Sequence, residues 1–169
     1  MDLAIARFQK PLPGIEVQPF YTEDTVLLVS RQLLQTCGID LAAHRAEIER
    51  GDLRFLRGCP FVSGSAEDIT GSLERDAFRR AGFVPEVRAE SSNVETLLEL
   101  CARSVGACFC PENLARLLLA AQPHGRLEML RMPDTMAYPI SFGYAKRAYP
   151  WSVLADFIRI ARAQYPQPA

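Results

Sequence analysis

Apolar and polar positions change period several times along the chain, and each change marks an element. "DLAIA", Asp2 to Ala6, is continuously apolar after a polar start, which predicts a strand buried on both faces, as in a parallel sheet. "KPLPG", Lys10 to Gly14, interrupts the pattern as a turn. "TVLLVS", Thr25 to Ser30, predicts a second strand. "RQLLQTCGIDLAAHRAEIERGD" has helical stretches broken by Gly38 and Gly51 and reads as a connector of short helices.

From Cys59 the pattern sharpens. "CPFVSG" predicts a strand ending in small residues. "SLERDAFRRAGF" puts Leu73, Ala77, Phe78 and Ala81 on one helical face, with Gly82 suited to a left-handed cap. "PEVRAE" is the next strand. In "SSNVETLLELCARSVGACFCPENLA", Ser92 and Glu95 have the spacing of a capping box. Val94, Leu97, Leu98 and Cys101 then share a face, Gly106 ends the turn, and "ACFC" is an apolar strand. Pro111 suits the first position of a further helix, which carries Leu114, Leu117, Leu118 and Ala121.

"RLEMLRM" and "YPISFGYAKR" predict two more strands. "WSVLADFIRIARAQY" predicts a closing helix that starts at Trp151 or Ser152, ends before Pro166, and has Val153, Leu154, Phe157, Ile158 and Ala161 on one side. Strands alternating with helices give an α/β fold with parallel strands and right-handed crossovers.

Composition narrows the function. A chain of 169 residues is long enough to bury a core without disulfides or metals. Its 19 basic residues face 20 acidic ones, and the arginines are scattered, which argues against a nucleic-acid groove. Five cysteines without framework spacing point to a reducing compartment. Cys108 and Cys110 fall on one strand face as small core residues. His44 and His124 are isolated, so neither metal nor cofactor is expected. "MDLAIARFQK" lacks a signal peptide's basic start, and no apolar run approaches a membrane span, so a cytoplasmic protein without membrane contact is expected.

Two predicted strand-to-helix junctions carry the candidate chemistry: Ser63, Gly64 and Ser65, and Ser91, Ser92 and Asn93. In open α/β sheets, ligands sit beyond the carboxyl ends of strands, against helix N-termini. Hydroxyls and free backbone N–H groups at a positive dipole end would receive a small carboxylate. The plainer reading, that these side chains only cap their helices, stands beside it. No nucleophile elbow, zinc-helix or phosphate-loop motif supports catalysis, so the chain does not read as an enzyme.

The "SSNVETLLELCARSVGACFCPENLA" stretch resembles LysR-type transcriptional regulators. Matching positions are Ser92, Glu95, Thr96, Val105, Gly106, Pro111 and Glu112; Ser104 stands where the family has the first glycine of its turn. "DLAIAR", "YTEDTVLLVS", "PFVSG", "FRRAGFVPEVRAESS" and "YPISFGYAKRAYPWSVLADFIR" extend the resemblance over nearly the whole chain. It implies an α/β, type 2 periplasmic-binding-protein-like fold, with one complete lobe built on a parallel or mixed sheet and a remnant of the second lobe. Residues 1–31 would be the remnant, 32–147 the complete lobe, and 148–169 the closing helix.

The resemblance further implies a small effector, such as a carboxylate, bound in a cleft between lobes. Its contacts would be Ser63, Gly64, Ser65, Ser91, Ser92 and Asn93, with Arg7 from the other lobe. The family's winged helix-turn-helix has no counterpart in these residues, so no direct DNA contact is expected. The "LAIA" strand and the Val153/Phe157 face should be exposed and favour a homo-oligomer. The alternatives are a solute-binding protein of a transport system, which would carry an export signal, and a small hydrolase or transferase with a cysteine nucleophile.

Overall fold

The computed structural model describes residues 3–8, 10, 12–121, 126–133, 136–146 and 152–165. Asp2, Pro11, His124, Arg147, Trp151 and Pro166, on which some of the expectations fall, lie outside them. The chain divides into two compact units: Met1–Glu23 with Ala137–Ala169, and Asp24–Met136. The lobe boundaries expected at 31/32 and 147/148 thus stand beside unit boundaries at 23/24 and 136/137.

The smaller unit holds β1 (Ala4–Ala6), β2 (Ile15–Glu23), β8 (Tyr138–Ala145) and α6 (Ser152–Gln164). Its sheet has the order β1-β8-β2, with both pairs antiparallel. Phe20 and Phe142, ring centroids 4.3 Å apart, form its core with Ile158. Two expectations need correction here. β2 is not foreseen in the sequence, because Pro19 breaks its alternation; the register slips there, between Pro19 and Tyr21. β1 is three residues long and not buried on both faces, Ile5 being 48% exposed. On α6, Leu154, Ile158 and Ala161 face the core, whereas Val153 and Phe157 are exposed, as the predicted apolar patch requires.

The larger unit contains β3 (Thr25–Ser30), α1 (Arg31–Thr36), α2 (Arg45–Glu49), a 3-10 turn (Leu53–Leu56), β4 (Pro60–Gly64) and α3 (Ile69–Ala81). It continues with β5 (Glu86–Ser91), α4 (Val94–Ala102), β6 (Cys108–Pro111), α5 (Glu112–Ala121) and β7 (Leu127–Arg131). β4 and β5 are parallel, and β3 lies antiparallel between β6 and β7. Val62 donates to the Ala107 carbonyl at 2.9 Å and Ala107 to the Pro60 carbonyl at 2.8 Å, which joins the two sheets through β4 and β6. The strand order is therefore β5-β4-β6-β3-β7. The sheet is mixed rather than parallel, since β3 runs against both its neighbours.

Alternation along the central strands sorts side chains into two layers. Leu27, Val29, Phe61 and Phe109 pack with Ala77 and Phe78 of α3 and with Leu33 and Leu34 of α1. Val26, Leu28, Val62, Cys108 and Cys110 pack on the other face with Leu97, Leu98 and Cys101 of α4 and Ala115 of α5. Cys108 and Cys110 thus share a face, as the spacing predicts. Leu117, assigned to the inner face of α5, is 67% exposed, and Ala115 takes the buried place. Pro111 closes β6, so α5 starts one residue later than expected.

Two helix ends set the loops. Gly82 ends α3 with φ +70°. The end of α4 departs from expectation: the left-handed residue is Ser104, at φ +64°, not a glycine. Ser104 N–H bonds to the Cys101 carbonyl and Val105 N–H to the Leu100 carbonyl, which is the Schellman pattern. The Ser104 hydroxyl lies 2.8 Å from that of Ser30, the N-cap of α1, and this bond offsets part of the left-handed strain.

Candidate functional site

Because β4 and β5 are parallel neighbours, their carboxyl ends lie side by side. Ser63 is opposite Glu90 and Gly64 opposite Ser91. Each strand then turns into a helix, α3 after β4 and α4 after β5, so two helix N-termini begin at the same end of the sheet. Each presents first-turn N–H groups and the positive end of a dipole.

The cap of α4 differs from expectation. Asn93 is the N-cap, with extended backbone at φ −95° and ψ 111°, and its Oδ1 accepts the Thr96 N–H at 3.1 Å. Ser91 Oγ accepts the Asn93 N–H, also at 3.1 Å. The Ser92–Glu95 box does not form, because the helix starts one residue later than that box needs. Ser92 is thereby left exposed at the mouth of a cavity of about 100 Å³.

Gly64, Asp68, Thr70, Ser92, Val94, Leu97, Phe109 and Pro111 line this cavity. Asp68 is the N-cap of α3 and makes no side-chain cap bond. The close fit of α3 on β4 depends on Gly71. A Cβ there would meet the Ser65 carbonyl oxygen at 2.2 Å and that of Gly64 at 2.7 Å. The chemistry gathered at this end of the sheet is two hydroxyls, one carboxylate and two helix N-termini over an apolar floor of Leu97 and Phe109.

On the other side of the β4 end lies a groove of about 450 Å³, walled by Phe78, Phe83, Val84, Pro85 and Val87. Glu74 of α3 forms part of it and is only 3% exposed. Its Oε1 accepts the Ser63 hydroxyl at 2.5 Å and its Oε2 the Gly64 N–H at 3.3 Å. Burial pushes this carboxyl up to about 7, against the opposing effects of those two bonds and of Arg75.

The candidate residues therefore separate. Gly64 and Ser92 line the small cavity. The Ser63 hydroxyl turns to Glu74 and the groove behind. Ser65 Oγ accepts the Glu67 N–H at 3.4 Å, and Ser91 and Asn93 serve the α4 cap. Arg7 follows β1 in the smaller unit and is half-buried. Sequence reasoning missed Asp68, Thr70 and Glu74. Glu74 had a signal: it precedes Phe78 by four residues and Ala77 by three, on the face read as apolar.

Other candidate chemistry is more easily placed. His44 stacks on Phe55, centroids 5.2 Å apart. Burial pushes Cys59 up to about 12, and neighbouring thiols together with burial raise Cys108 well above its ordinary value. Among the described residues, no three His, Cys, Asp or Glu side chains cluster as metal ligands, and no helix is long and apolar enough to cross a membrane.

A family model described as the LysR substrate binding domain matches residues 1–166. No curated protein matches the chain. Among solved structures, the Synechocystis PCC6803 CcmR regulatory domain in complex with 2-PG is similar, with 15% identity and a TM-score of 0.72 over 99% of this chain and 76% of that one. The effector binding domain of QuiR in complex with shikimate has 17% identity and a TM-score of 0.64, over 97% of this chain and 71% of that one. Full-length CbnR complexed with its target DNA has 19% identity and a TM-score of 0.62; 96% of this chain is covered but 53% of that one, so the chain spans about half its length. These likenesses establish a type 2 periplasmic-binding-protein-like fold, and the model match over almost every residue establishes more: the chain belongs to the LysR substrate binding domain family.

Proposed function

We propose that this chain senses a small anionic effector for a LysR-type transcriptional regulator, and receives it at the carboxyl ends of β4 and β5, against the N-termini of α3 and α4. The observation that carries the reading is the pairing of Gly64 with Ser91, which sets two helix starts beside one cavity. The helix ends with Thr70 and Ser92 would take a carboxylate or phosphate. Asp68 would accept from a ligand hydroxyl. Similar domains have been solved with 2-PG and with shikimate, which supports a small ligand of this kind.

In this proposal Ser63, Gly64, Ser65, Ser91, Ser92 and Asn93 form the binding region, with Gly64, Thr70 and Ser92 nearest the ligand and Ser63 acting through Glu74. Arg7 belongs to the proposal by resemblance. The larger unit is read as the second regulatory lobe, and the smaller as part of the first. The protein would work in the cytoplasm, without catalysis and as a homo-oligomer; the exposed Ile5, Val153, Phe157 and Ile160 support association. DNA contact is assigned to none of these residues. The effector would act only through its differential affinity for two conformations.

The test is a thermal-shift screen of small carboxylates and phosphate esters, followed by amide chemical-shift mapping of each stabilising compound. Perturbations centred on Gly64, Thr70 and Ser92 are expected. Perturbations confined to residues away from the ends of β4 and β5 would reject the site.

A further inference from the structure

Glu74 is a buried carboxylate with no part in capping or in the core, and burying such a group is unfavourable unless it is well paired. Its partners are one hydroxyl and one backbone amide, both from the last two residues of β4. Gly64 belongs to both cavities, so a single residue of backbone separates Glu74 from the candidate effector pocket. A negative charge behind a pocket proposed to take an anion opposes that anion, and does so in a poorly screened environment.

Arg75, beside it on the helix, offsets the charge only in part. On α3 itself Arg75 donates to the Ala66 carbonyl and Arg79 pairs with Asp76. β5 contributes another carboxylate, Glu90, at the groove. β4 presents the Ser63 hydroxyl, and β6 turns the apolar Phe109 to this face. From the 3-10 turn and its end, Arg54 is engaged by Asp52, and Arg57 by the Gly82 carbonyl.

We infer that Glu74 is a specificity-determining residue of the effector pocket, whose charge weakens anion binding and whose protonation restores it. The inference rests on the anion-binding reading of the pocket. It makes effector affinity depend on pH near neutrality, because burial holds this carboxyl at about 7. By linkage, an anion that binds better to the protonated form must also draw a proton onto Glu74. An uncharged ligand in the same pocket would show neither effect.

The experiment titrates the full chain with shikimate and with sulfate, both of constant charge between pH 6 and 8, by calorimetry in buffers of different ionisation enthalpy. Expected are affinities about fivefold or more higher at pH 6 than at pH 8, and net proton uptake at pH 7. Glu74→Gln should bind at pH 8 as the wild type does at pH 6, with a flat profile and no proton uptake. Glu90→Gln should keep a pH-dependent profile with proton uptake, displaced slightly to lower pH because one charge that raises Glu74 is gone. The Gly64 amide shift, followed without ligand, should titrate near pH 7 in the wild type and not in Glu74→Gln. Binding with a flat wild-type profile, or a profile that survives Glu74→Gln, overturns this inference alone. Absence of binding by either anion at every pH, with the Gly64 amide still titrating, overturns the anion pocket and this inference with it.

Discussion

Replacing Glu74 by Gln should change how stability depends on pH, and the structure fixes both sign and size. The carboxyl has an ordinary value of 4.5 and is pushed up to about 7 by burial in the native state. Between these values the unfolded chain has lost the proton while the native protein still holds it. Stability therefore falls as pH rises through this window, by ~1.36 kcal/mol for each pH unit, and levels off above about pH 8. Across the whole window the loss is ~3 kcal/mol. Gln cannot ionise, so the variant lacks this slope. It does lose part of the pairing with Ser63 and Gly64, since one carboxylate oxygen becomes a donor, at a cost of ~1 kcal/mol. The variant should be about as stable as the wild type at pH 5 and more stable at pH 8 by about 2 kcal/mol. Asp52 and Glu16 are shifted downward, so their contributions are lost only as pH falls below about 4.5, outside the window. Urea unfolding followed by circular dichroism, at half-unit steps from pH 5 to 8, measures the difference directly. A gap between variant and wild type that keeps one sign and one size across that range would refute the reasoning, because Glu74 would then be ionised throughout.

Asn93→Ala should lower stability by ~1 kcal/mol through loss of the α4 cap, while Ser92→Ala should change it by less than about 0.5 kcal/mol; thermal melting distinguishes them. Gly71→Ala brings a methyl against the backbone oxygens of Ser65 and Gly64, which cannot swing aside as a side chain would. It should destabilise by ~2–3 kcal/mol in urea unfolding and abolish any ligand-induced thermal shift. Ser104→Gly relieves the left-handed strain that Ser104→Ala keeps, and both lose the bond to Ser30. The glycine variant should therefore be the more stable of the two by ~1 kcal/mol, as read from denaturation midpoints. Iodoacetamide on the native protein should modify Cys37 first, since Cys59, Cys101, Cys108 and Cys110 are buried; mass spectrometry that finds one of the buried four labelled faster would revive a cysteine nucleophile.

What can be read from the sequence, and what cannot, follows from the range of the interactions involved. Elements with a strong period are legible, because period reports which face is buried: α3, α4 and the paired thiols of β6 stand where the pattern puts them. β2 is not legible, since Pro19 and the bulge beside it erase the alternation, and the strand exists because β8 supplies a partner across more than a hundred residues. The reversed direction of β3 is likewise hidden, because strand polarity is set by neighbours distant in sequence. The site shows the same division. That two small polar junctions end neighbouring strands is visible as composition; that Asn93 rather than Ser92 makes the cap depends on where the helix starts, which varies by a residue with little change in pattern.

Glu74 marks the more instructive failure. An acidic residue on an apolar helical face passes for one surface charge among many, although its spacing from Ala77 and Phe78 places it inside. Sequence period gives the burial of a position but not the partner that makes burial tolerable, and here the partners are the hydroxyl and amide that close β4. The sequence alone assigns the same two donors to an effector. An internal carboxylate holding them means that the face of the strand end turned toward α3 is already satisfied. Any ligand must then rely on the donors of the opposite face: Thr70, Ser92 and the two helix starts. The buried charge thus narrows the candidate pocket from the whole pair of junctions to one side of them, and mutating Ser63 should alter binding only as far as it alters Glu74.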